Sequence, residues 1–345
     1  MTTDSSKPKI LVIINPNSGN HKAISIFEKH KTQIENHYEI VIFHSQYPKH
    51  VLTYFNVNHD TIVNQYKLIV GVGGDGIIFE IINSMLKWDI RIPISEIPCG
   101  SGNGYFKSLT FENGVPNTVG TAIDLICSGE KKNVDVMHIK NLNLFCRLAI
   151  SWGIISDIDI HTEWMRKIGE LRFDLGALWY ILKKQSYYGV LQWELEPSPP
   201  NKISSGDGSN SGSVSGSNSG IVSGSVSGNF VYFWACNVSH GSSNCHSAPG
   251  AKMDDGFIYI SYVLDDVTHY ELAKIAMSLS TGNFIKHPKV HYIKTRSFSL
   301  ETNGGLLVID GEPLNDINTI HVENKPLEIE ILHPDSGTKL NGVTK

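Results

Sequence analysis

The stretch GVGGDGIIFEIIN, residues 71–83, follows an apolar run and opens a segment with the apolar spacing of an amphipathic helix. Gly71, Gly73 and Gly76 match G-x-G-x-x-G, a dinucleotide-binding pattern when it lies between a strand and a helix. Asp75 lies inside the pattern, and a carboxylate among the backbone amides would repel a pyrophosphate. The stretch therefore predicts a strand, a tight loop and a helix, and the role of Asp75 decides its chemistry.

Three familiar nucleotide-binding patterns fit this loop poorly. A dinucleotide-binding fold carries its glycines in the first strand–helix unit, with an acid about 20 residues later. Here the loop follows the third predicted strand, and the candidate acid Glu96 falls between Ile94 and Pro98, where we expect no strand. The sequence contains neither a Walker A motif nor the companion motifs of protein kinases. What remains is a phosphate-binding glycine loop in which Asp75 accepts the proton of an attacking hydroxyl; the alternative is that Asp75 only caps the following helix.

Length, charge and cysteine content exclude several classes of protein. A chain of 345 residues exceeds the usual size of a single core, so two domains are expected. The net charge of −5 gives no overall basic field for nucleic acid. Five cysteines without C-x-x-C spacing argue against a disulfide framework or a zinc site. With a polar start and no long apolar stretch, we expect a cytoplasmic protein without a transmembrane span.

Strands alternate with helices over the first part of the chain, which predicts a parallel α/β sheet. We assign residues 1–134 to this domain and interpret it as a nucleotide-binding domain. Three polar, glycine-containing loops lie at 15–19, 71–76 and 100–104; the first two follow predicted strands, and the third follows the segment Pro93–Pro98. They should emerge together at the carboxyl edge of the sheet, where ligands usually bind.

After residue 134 the sequence consists mainly of short runs rich in β-branched and aromatic residues. This pattern predicts a mainly antiparallel β-sandwich over residues 135–345. Two helical insertions are expected, at 160–188 and 267–278. The Gly/Ser/Asn/Val tract at 204–229 carries too little apolar surface for a core. We expect it to be a disordered loop.

Three segments together resemble the lipid-kinase superfamily that includes diacylglycerol, ceramide and sphingosine kinases. They are Asn15-Pro-Asn-Ser-Gly19, Gly73-Gly-Asp-Gly76 with Glu80 and Asn83, and Pro98-Cys-Gly-Ser-Gly-Asn103. The resemblance implies that the first and third segments hold a nucleotide together with the second. It also implies that Asp75 is the general base.

A fourth segment, residues 151–178, resembles the stretch that is specific to sphingosine kinases. The resemblance implies that Asp159 recognises the amino group of a sphingoid base. We expect Asp157 and Asp159 to alternate at a strand end and share one face. The resemblance also assigns Arg166 and Arg172 to nucleotide phosphates, which requires a turn between them rather than one continuous helix.

Residues 306–314, LLVIDGEPL, resemble the late Asp-Gly-Glu motif of the same family, which lies beside the nucleotide. The same residues are an ordinary β-turn signal. The family role implies that the second domain returns to the cleft and closes around ATP.

The resemblance thus implies a complete site with ATP and Mg²⁺ as cofactors, although it does not identify the metal ligands. The expected function is ATP-dependent phosphorylation of the primary hydroxyl of a sphingoid base. The residues assigned to the lipid substrate are Gly73, Gly74, Asp75, Gly76 and Asp159. Those assigned to ATP are Asn15, Pro16, Asn17, Ser45, Gln46, Tyr47, Pro48, Lys49, Gly73, Glu80, Gly100, Ser101, Gly102, Arg166, Arg172, Asp310, Gly311 and Glu312.

Several alternatives remain open from the sequence. A diacylglycerol or ceramide kinase would have no use for Asp159, and a nucleotide-binding scaffold would need no base at Asp75. A dinucleotide-dependent oxidoreductase would bind NAD(P) in the cleft. The expected partners are a sphingoid lipid and, transiently, a membrane surface. An apolar stripe of helical spacing could belong to the core or line an acyl-chain tunnel; it comprises Phe173, Leu175, Leu178, Trp179 and Leu182.

Overall fold

The computed structural model describes residues 7–169, 171–195, 215–216 and 222–334. The strands are β1 (Lys9–Ile14), β2 (Glu39–His44), β3 (Tyr66–Gly73), β4 (Ile94–Pro98), β5 (Glu130–Ile139), β6 (Leu144–Cys146), β7 (Ala149–Gly153), β8 (Tyr187–Leu195), β9 (Ser215–Gly216), β10 (Val222–Cys236), β11 (Ile258–Leu264), β12 (His291–Thr295), β13 (Ser297–Asn303), β14 (Leu307–Ile309), β15 (Glu312–Leu314) and β16 (Thr319–His333). The helices are α1 (Ser18–His21), α2 (Ala23–Glu35), α3 (His50–Gln65), α4 (Asp75–Lys87), α5 (Gly104–Glu112), α6 (Val119–Ser128), α7 (Ile154–His161), α8 (Leu171–Lys183) and α9 (His269–Met277), with 3-10 turns at Glu163–Ile168 and Asn283–Lys286.

The N-terminal half is the predicted α/β unit. Its first four strands are parallel and lie in the order β4-β3-β1-β2. On β1, Ile10, Val12 and Ile14 pack toward α2 and α6, whereas Leu11 and Ile13 pack toward α3 and α4. Because both faces of the sheet are covered, the strand reads as a continuous apolar run rather than an alternating one.

The C-terminal half is mainly antiparallel, as predicted, and carries helices at both expected places. Its core lies among β7, β8, β10, β13 and β16, where Trp152, Phe230, Phe233 and Phe298 are buried. A second cluster lies under α7, α8 and α9. The first predicted helical insertion is divided into α7, a 3-10 turn and α8, and the second is α9.

One long strand, β16, joins the two halves. Its residues 319–323 pair with β13, while Ile331 pairs in parallel with Ile94 of β4. The neighbouring strand β5 pairs antiparallel with β16 at residues 322–325 and again at residues 329–333. The boundary proposed between residues 134 and 135 falls inside β5, so the backbone hydrogen bonds of the sheet continue across it.

The prediction of disorder over residues 204–229 is wrong for residues 222–229. These residues form the start of β10 and pair with β8 over Tyr187–Leu195. Gly224 lies opposite Trp193, and a Cβ at this glycine would lie 2.4 Å from the indole ring. The small residues of this tract therefore leave space for the Trp193 ring, and backbone hydrogen bonds to β8 order residues 222–229. Residues 204–214 and 217–221 lie outside the described residues.

None of the helices in the described part of the chain combines the length and apolar character needed to cross a membrane.

Candidate active site

The three predicted loops meet at the carboxyl ends of β1, β3 and β4. The Asn15 amide donates to the carbonyl of Val72 at 3.0 Å, and the Cys99 amide donates to the carbonyl of Gly73 at 2.7 Å. A Cβ at Gly100 would lie 2.5 Å from the Cα of Gly74. The second and third loops therefore approach more closely than any residue with a side chain would permit.

The first and third loops are shaped by local contacts. Gly19 has a φ of +62°, and a Cβ there would lie 2.6 Å from the carbonyl oxygen of Cys99. Within the first loop, the Asn17 amide donates to Asn15 Oδ1 at 3.1 Å, just beyond Pro16. In the third loop, the Asn103 side chain bonds both the amide and the carbonyl of Gly100, at 2.9 and 2.8 Å. These contacts fold the first loop and the Gly100–Asn103 loop, which includes Ser101 and Gly102, back on themselves.

Asp75 is the first residue of α4, but its carboxylate caps a different helix. The cap of α4 is Gly74, which makes no side-chain hydrogen bond. Asp75 Oδ2 and Oδ1 accept the amides of Gly104 and Tyr105, at 3.1 and 3.4 Å, at the start of α5. The proposed cap of α4 is therefore wrong. The carboxylate lies where the amino ends of α4 and α5 meet, a position that stabilises negative charge.

The expected strand-end pair of acids is not formed, because β7 ends at Gly153 and α7 begins at Ile154. Gly153 has a φ of +77°, which lets the chain turn directly from strand to helix. Two positions apart on a helix, Asp157 and Asp159 point in different directions. Asp157 is buried near the hydroxyl of Tyr187, and burial raises its pKa. The prediction that the two acids share one face is wrong.

Asp159 pairs with Arg172 at the start of α8. The Asp159 side chain is 30% exposed, and its Oδ1 lies 3.3 Å from Arg172 Nη2. The guanidinium also donates to the Asp159 carbonyl at 3.1 Å and to Thr162 Oγ1 at 3.2 Å. Arg172 thus forms an ion pair with Asp159, the predicted lipid-recognition acid. A contact between Arg172 and ATP stays a prediction.

Arg166 lies in the 3-10 turn at Glu163–Ile168, and its side chain lies outside the described residues. The predicted turn between the two arginines is confirmed at Gly169, whose φ is +64°.

The Asp-Gly-Glu turn connects the two sides of the cleft. A Cβ at Gly311 would lie 3.7 Å from Asp159 Oδ2, and a Cβ at Gly76 would lie 3.5 Å from Glu312 Oε1. Asp310 points the other way, into the protein. Its carboxylate accepts the amides of residues 147–149 at 2.9–3.0 Å and the thiol of Cys146 at 2.9 Å. Asp310 therefore fixes the backbone behind the site, while its neighbours in the turn face the glycine loop and Asp159.

The segment Ser45–Lys49 follows β2 and is held by Glu80. The Ser45 amide donates to the carbonyl of Ile14 at 2.9 Å, which places the segment beside the first loop. Glu80 accepts the amides of Lys49 and Val51 at 3.0 and 3.3 Å, and so caps the start of α3. In this segment, Gln46 donates its amide to His50 Nδ1, and the exposed ring of Tyr47 stacks on the His50 ring beside Pro48. Contacts of this segment and of Glu80 with ATP stay predictions.

Comparison with known proteins agrees with this layout. Residues 9–139 match the diacylglycerol kinase catalytic domain, and residues 223–333 match the YegS C-terminal NAD kinase beta sandwich-like domain. Sphingosine kinase 1 of Arabidopsis thaliana is 30% identical over 340 residues, covering 89% of this chain and 68% of the relative. The chain belongs to the sphingosine kinase family. It is a lipid kinase by family, which removes the oxidoreductase alternative.

Other relatives of this lipid kinase extend the comparison. Sphingosine kinase 2 of Arabidopsis thaliana is 31% identical, covering 89% of this chain and 69% of the relative, and human sphingosine kinase 1 is 23% identical, covering 88% and 85%. A solved diacylglycerol kinase structure from Bacillus anthracis superposes with a TM-score of 0.60 at 16% identity, covering 96% of this chain and 98% of that chain. At that identity the likeness shows the fold alone.

The apolar stripe of this lipid kinase lies largely at the surface. Leu175, Leu178, Trp179 and Leu182 of α8 are 47–64% exposed. Leu171, one turn earlier, is 55% exposed. Interpreting these residues as core is wrong, although Phe173 is half-buried. One face of α8 packs on the core through Phe173, Ala177, Tyr180 and Ile181, whereas the leucines and Trp179 lie on the exposed face.

Two charged residues at the site carry no motif signal. Arg147 Nη2 lies 2.8 Å from Glu96 Oε2 and 3.7 Å from Asp75 Oδ1. The expectation that Glu96 has no strand of its own is wrong, because Glu96 is the middle residue of β4. Arg147 follows β6, far along the chain from both carboxylates.

The donor set at the cleft is compatible with a magnesium ion held largely by nucleotide phosphates. Mg²⁺ usually binds one or two carboxylates together with phosphate oxygens and water. Glu312 and Asp75 both lie beside the second glycine loop. In the described ranges, no three His, Cys, Asp or Glu side chains cluster so that they could hold a metal by themselves.

Proposed function

We propose that this lipid kinase transfers the γ-phosphoryl group of ATP to the primary hydroxyl of a sphingoid base. The observation that carries the proposal is the Asp-Gly-Glu turn, which contacts the glycine loop of Asp75 on one side and Asp159 on the other. A phosphate site and a carboxylate suited to an ammonium group are thereby joined in one cleft. A sphingoid base presents both a hydroxyl and an ammonium group to such a cleft.

Asp75 acts as the general base in this proposal. The lipid hydroxyl gives its proton to the Asp75 carboxylate as its oxygen bonds to the γ-phosphorus. The bond between the γ-phosphorus and the β,γ-bridging oxygen breaks at the same time, which leaves ADP and the lipid phosphate. The protein forms no covalent bond to the substrates, so the rate enhancement comes from positioning and charge stabilisation.

The three loops provide the nucleotide site. Their glycines allow the phosphates to approach backbone amides, and the amino end of α4 adds a favourable dipole. Glu312 is the carboxylate that would hold Mg²⁺ together with the phosphates. When bound, the ion would neutralise charge that develops on the transferred group.

Asp159 recognises the ammonium group of the lipid. Arg172 holds Oδ1 of this carboxylate, while the Gly311 position faces Oδ2. Glycine at that position leaves room for a substrate group next to the carboxylate. A neutral diacylglycerol or ceramide would offer no cation to this acid.

Transient contact with a membrane completes the proposal, because the lipid must be withdrawn from a bilayer. The exposed face of α8 presents four leucines and Trp179 on one side of a helix that begins 12 residues after Asp159. Such a face suits shallow insertion at a bilayer surface. The proposed location is therefore the cytoplasm, with peripheral membrane association.

The experiment that tests substrate class compares wild type with Asp159→Asn. Turnover of radiolabelled ATP is measured with sphingosine and with a diacylglycerol, and ATP affinity is measured in parallel. Loss of a charge-assisted bond should lower kcat/KM for sphingosine about 10- to 100-fold, since such bonds are worth roughly 1.5–3 kcal/mol. Any activity on diacylglycerol should remain within about twofold.

The matched control is Asp157→Asn, two residues away on α7 and turned toward Tyr187. It should change use of the two lipids equally. If Asp159→Asn also reduces both equally, Asp159 is structural and the ammonium assignment fails. Absence of turnover on every lipid in the wild type would favour the nucleotide-binding scaffold.

A further inference from the structure

Arg147 is a buried cation that connects two carboxylates of the glycine-loop corner. Its side chain is 3% exposed. The guanidinium lies 2.8 Å from Glu96 Oε2 and 3.7 Å from Asp75 Oδ1, and it stacks 3.7 Å from the centre of the Tyr105 ring. Removing a charged group from water costs several kcal/mol, so its burial beside the proposed base requires compensating contacts.

The backbone around Arg147 is fixed from two directions. Asn83, on α4, bonds both the amide and the carbonyl of Phe145, at 2.8 and 2.9 Å. Asp310 accepts the amides of the next residues, including that of Arg147 at 2.9 Å. The backbone that carries Arg147 is therefore held by α4, which begins at Asp75, and by the Asp-Gly-Glu turn, which contains Glu312.

The charges of this corner balance only in part. Two carboxylates, Asp75 and Glu96, share one guanidinium. Burial raises the pKa of Glu96, Arg147 partly offsets this, and the charge of Asp75 adds to it. The other titratable groups at the corner are Tyr105 on α5 and Glu312 on β15.

The same residues border a small cavity. Glu96, Tyr105 and Arg147 are among the residues lining a space of about 20 Å³, which is enough for one water molecule. Each has one buried polar atom that makes no hydrogen bond to another described residue: Glu96 Oε1, Tyr105 Oη and Arg147 Nε. Three polar groups of the corner thus border a small cavity whose lining is otherwise mainly apolar.

We propose that Arg147, held by Glu96, is a positioning residue that fixes the orientation of the base Asp75. The inference rests on the proposed function, because it assumes that Asp75 accepts the proton. Glu96 draws the guanidinium to 2.8 Å and keeps it at 3.7 Å from Asp75. At that distance the cation orients the base without forming a close pair that would block proton transfer.

The two single variants should lower kcat more than they change KM for ATP. In Arg147→Met the base loses the guanidinium that lies 3.7 Å from its Oδ1. In Glu96→Gln the guanidinium loses the charged partner that draws it to 2.8 Å, so the position of Asp75 is less well fixed. A merely structural pair gives no reason for a loss of kcat that persists when Tm is restored.

The decisive measurement uses the double variant Glu96→Met/Arg147→Met. Replacing a buried ion pair by apolar side chains is often neutral for stability, whereas removing one partner is not. We expect Arg147→Met to lower Tm and to lower kcat about tenfold, with KM for ATP nearly unchanged. The double variant should recover Tm but keep the lowered kcat. If it recovers kcat together with Tm, the pair is structural and the proposal is overturned.

The control is Lys132→Met, which removes a cation between Glu112 and Asp254 without contact to Asp75. It should leave kcat unchanged. The base assignment is tested separately with Asp75→Asn. Full turnover in that variant would remove the premise, whereas an inactive Asp75→Asn with wild-type kcat in Arg147→Met would overturn only this inference.

Discussion

The glycine-loop corner and the α7–α8 side of the cleft are held by different forces. At the corner, the loops approach so closely that a Cβ on Gly100 would lie 2.5 Å from Gly74 Cα, and the Asn103 side chain holds the third loop through two hydrogen bonds. On the other side, the Asp159 side chain is 30% exposed and α8 turns its leucines outward. A phosphoryl transfer site requires fixed geometry, while a site that takes lipid from a membrane requires an accessible apolar surface. The comparison suggests that substitutions should affect chemistry and folding at the corner, but mainly lipid access on the α8 side.

The largest expected effect is that of Asp75→Asn at the corner. The amide keeps the size of the side chain and one oxygen for the start of α5, so the fold should persist. Loss of a general base typically lowers the rate by about 10²–10⁴. We expect kcat with saturating sphingosine to fall by that factor, while ATP affinity measured by titration stays within a few-fold.

The control for this prediction is Asp60→Asn on α3, where the side chain is 92% exposed. It should retain wild-type kcat. Near-normal turnover in Asp75→Asn would instead reduce Asp75 to the cap of α5.

The two regions also differ in how far the sequence predicted them. The alternation of strands and helices predicts that the three loops meet at the carboxyl edge of a parallel sheet. It does not predict β4 (Ile94–Pro98), the strand that precedes the third loop. The turn at Asp310 and Gly311 was likewise readable, since both adopt positive φ in a two-residue connection. Predictions that depend on distant contacts were weaker, because the sequence of one segment does not say what packs against it.

Three residues illustrate that limit. Asp157 was placed on a strand because its alternation with Asp159 resembles a strand end, but the positive φ of Gly153 starts a helix first. Gly224 was placed in a disordered tract, but its pairing with the strand of Trp193 orders it. Arg147 gave no local signal at all, since its two carboxylate partners come from β4 and α4.

A glycine substitution provides the second test of the comparison. Gly100→Ala should place a Cβ 2.5 Å from the backbone Cα of Gly74 and 2.9 Å from Asn103 Oδ1. Overpacking of this kind costs about 1–3 kcal/mol. We expect the free energy of unfolding, measured with urea, to fall by that amount and ATP affinity to weaken with it.

Gly120→Ala is the matched control for this change. Gly120 lies inside α6, and its nearest contact would be an ordinary 3.6 Å to Thr118 Oγ1. Alanine there should stabilise the protein by about 0.5–1 kcal/mol. Equal and small changes in both variants would mean that the loops at the corner can separate without cost.

The smallest expected effect lies on the α8 side, with Leu178→Ala. Leu178 is 61% exposed, so its truncation should change the free energy of unfolding by less than about 0.5 kcal/mol. If the face enters a bilayer, the lost apolar groups should weaken binding to phosphatidylcholine–phosphatidylserine vesicles roughly tenfold, since each buried methylene contributes about 0.8 kcal/mol. Val57→Ala on α3, where the valine is 78% exposed, should leave vesicle binding unchanged. Turnover of sphingosine dispersed in detergent should stay normal in Leu178→Ala, because the corner that holds Asp75 is untouched. Equal vesicle binding by Leu178→Ala and wild type would mean that the exposed face does not dock, and the contrast between a rigid corner and a membrane-facing helix would lose its functional meaning.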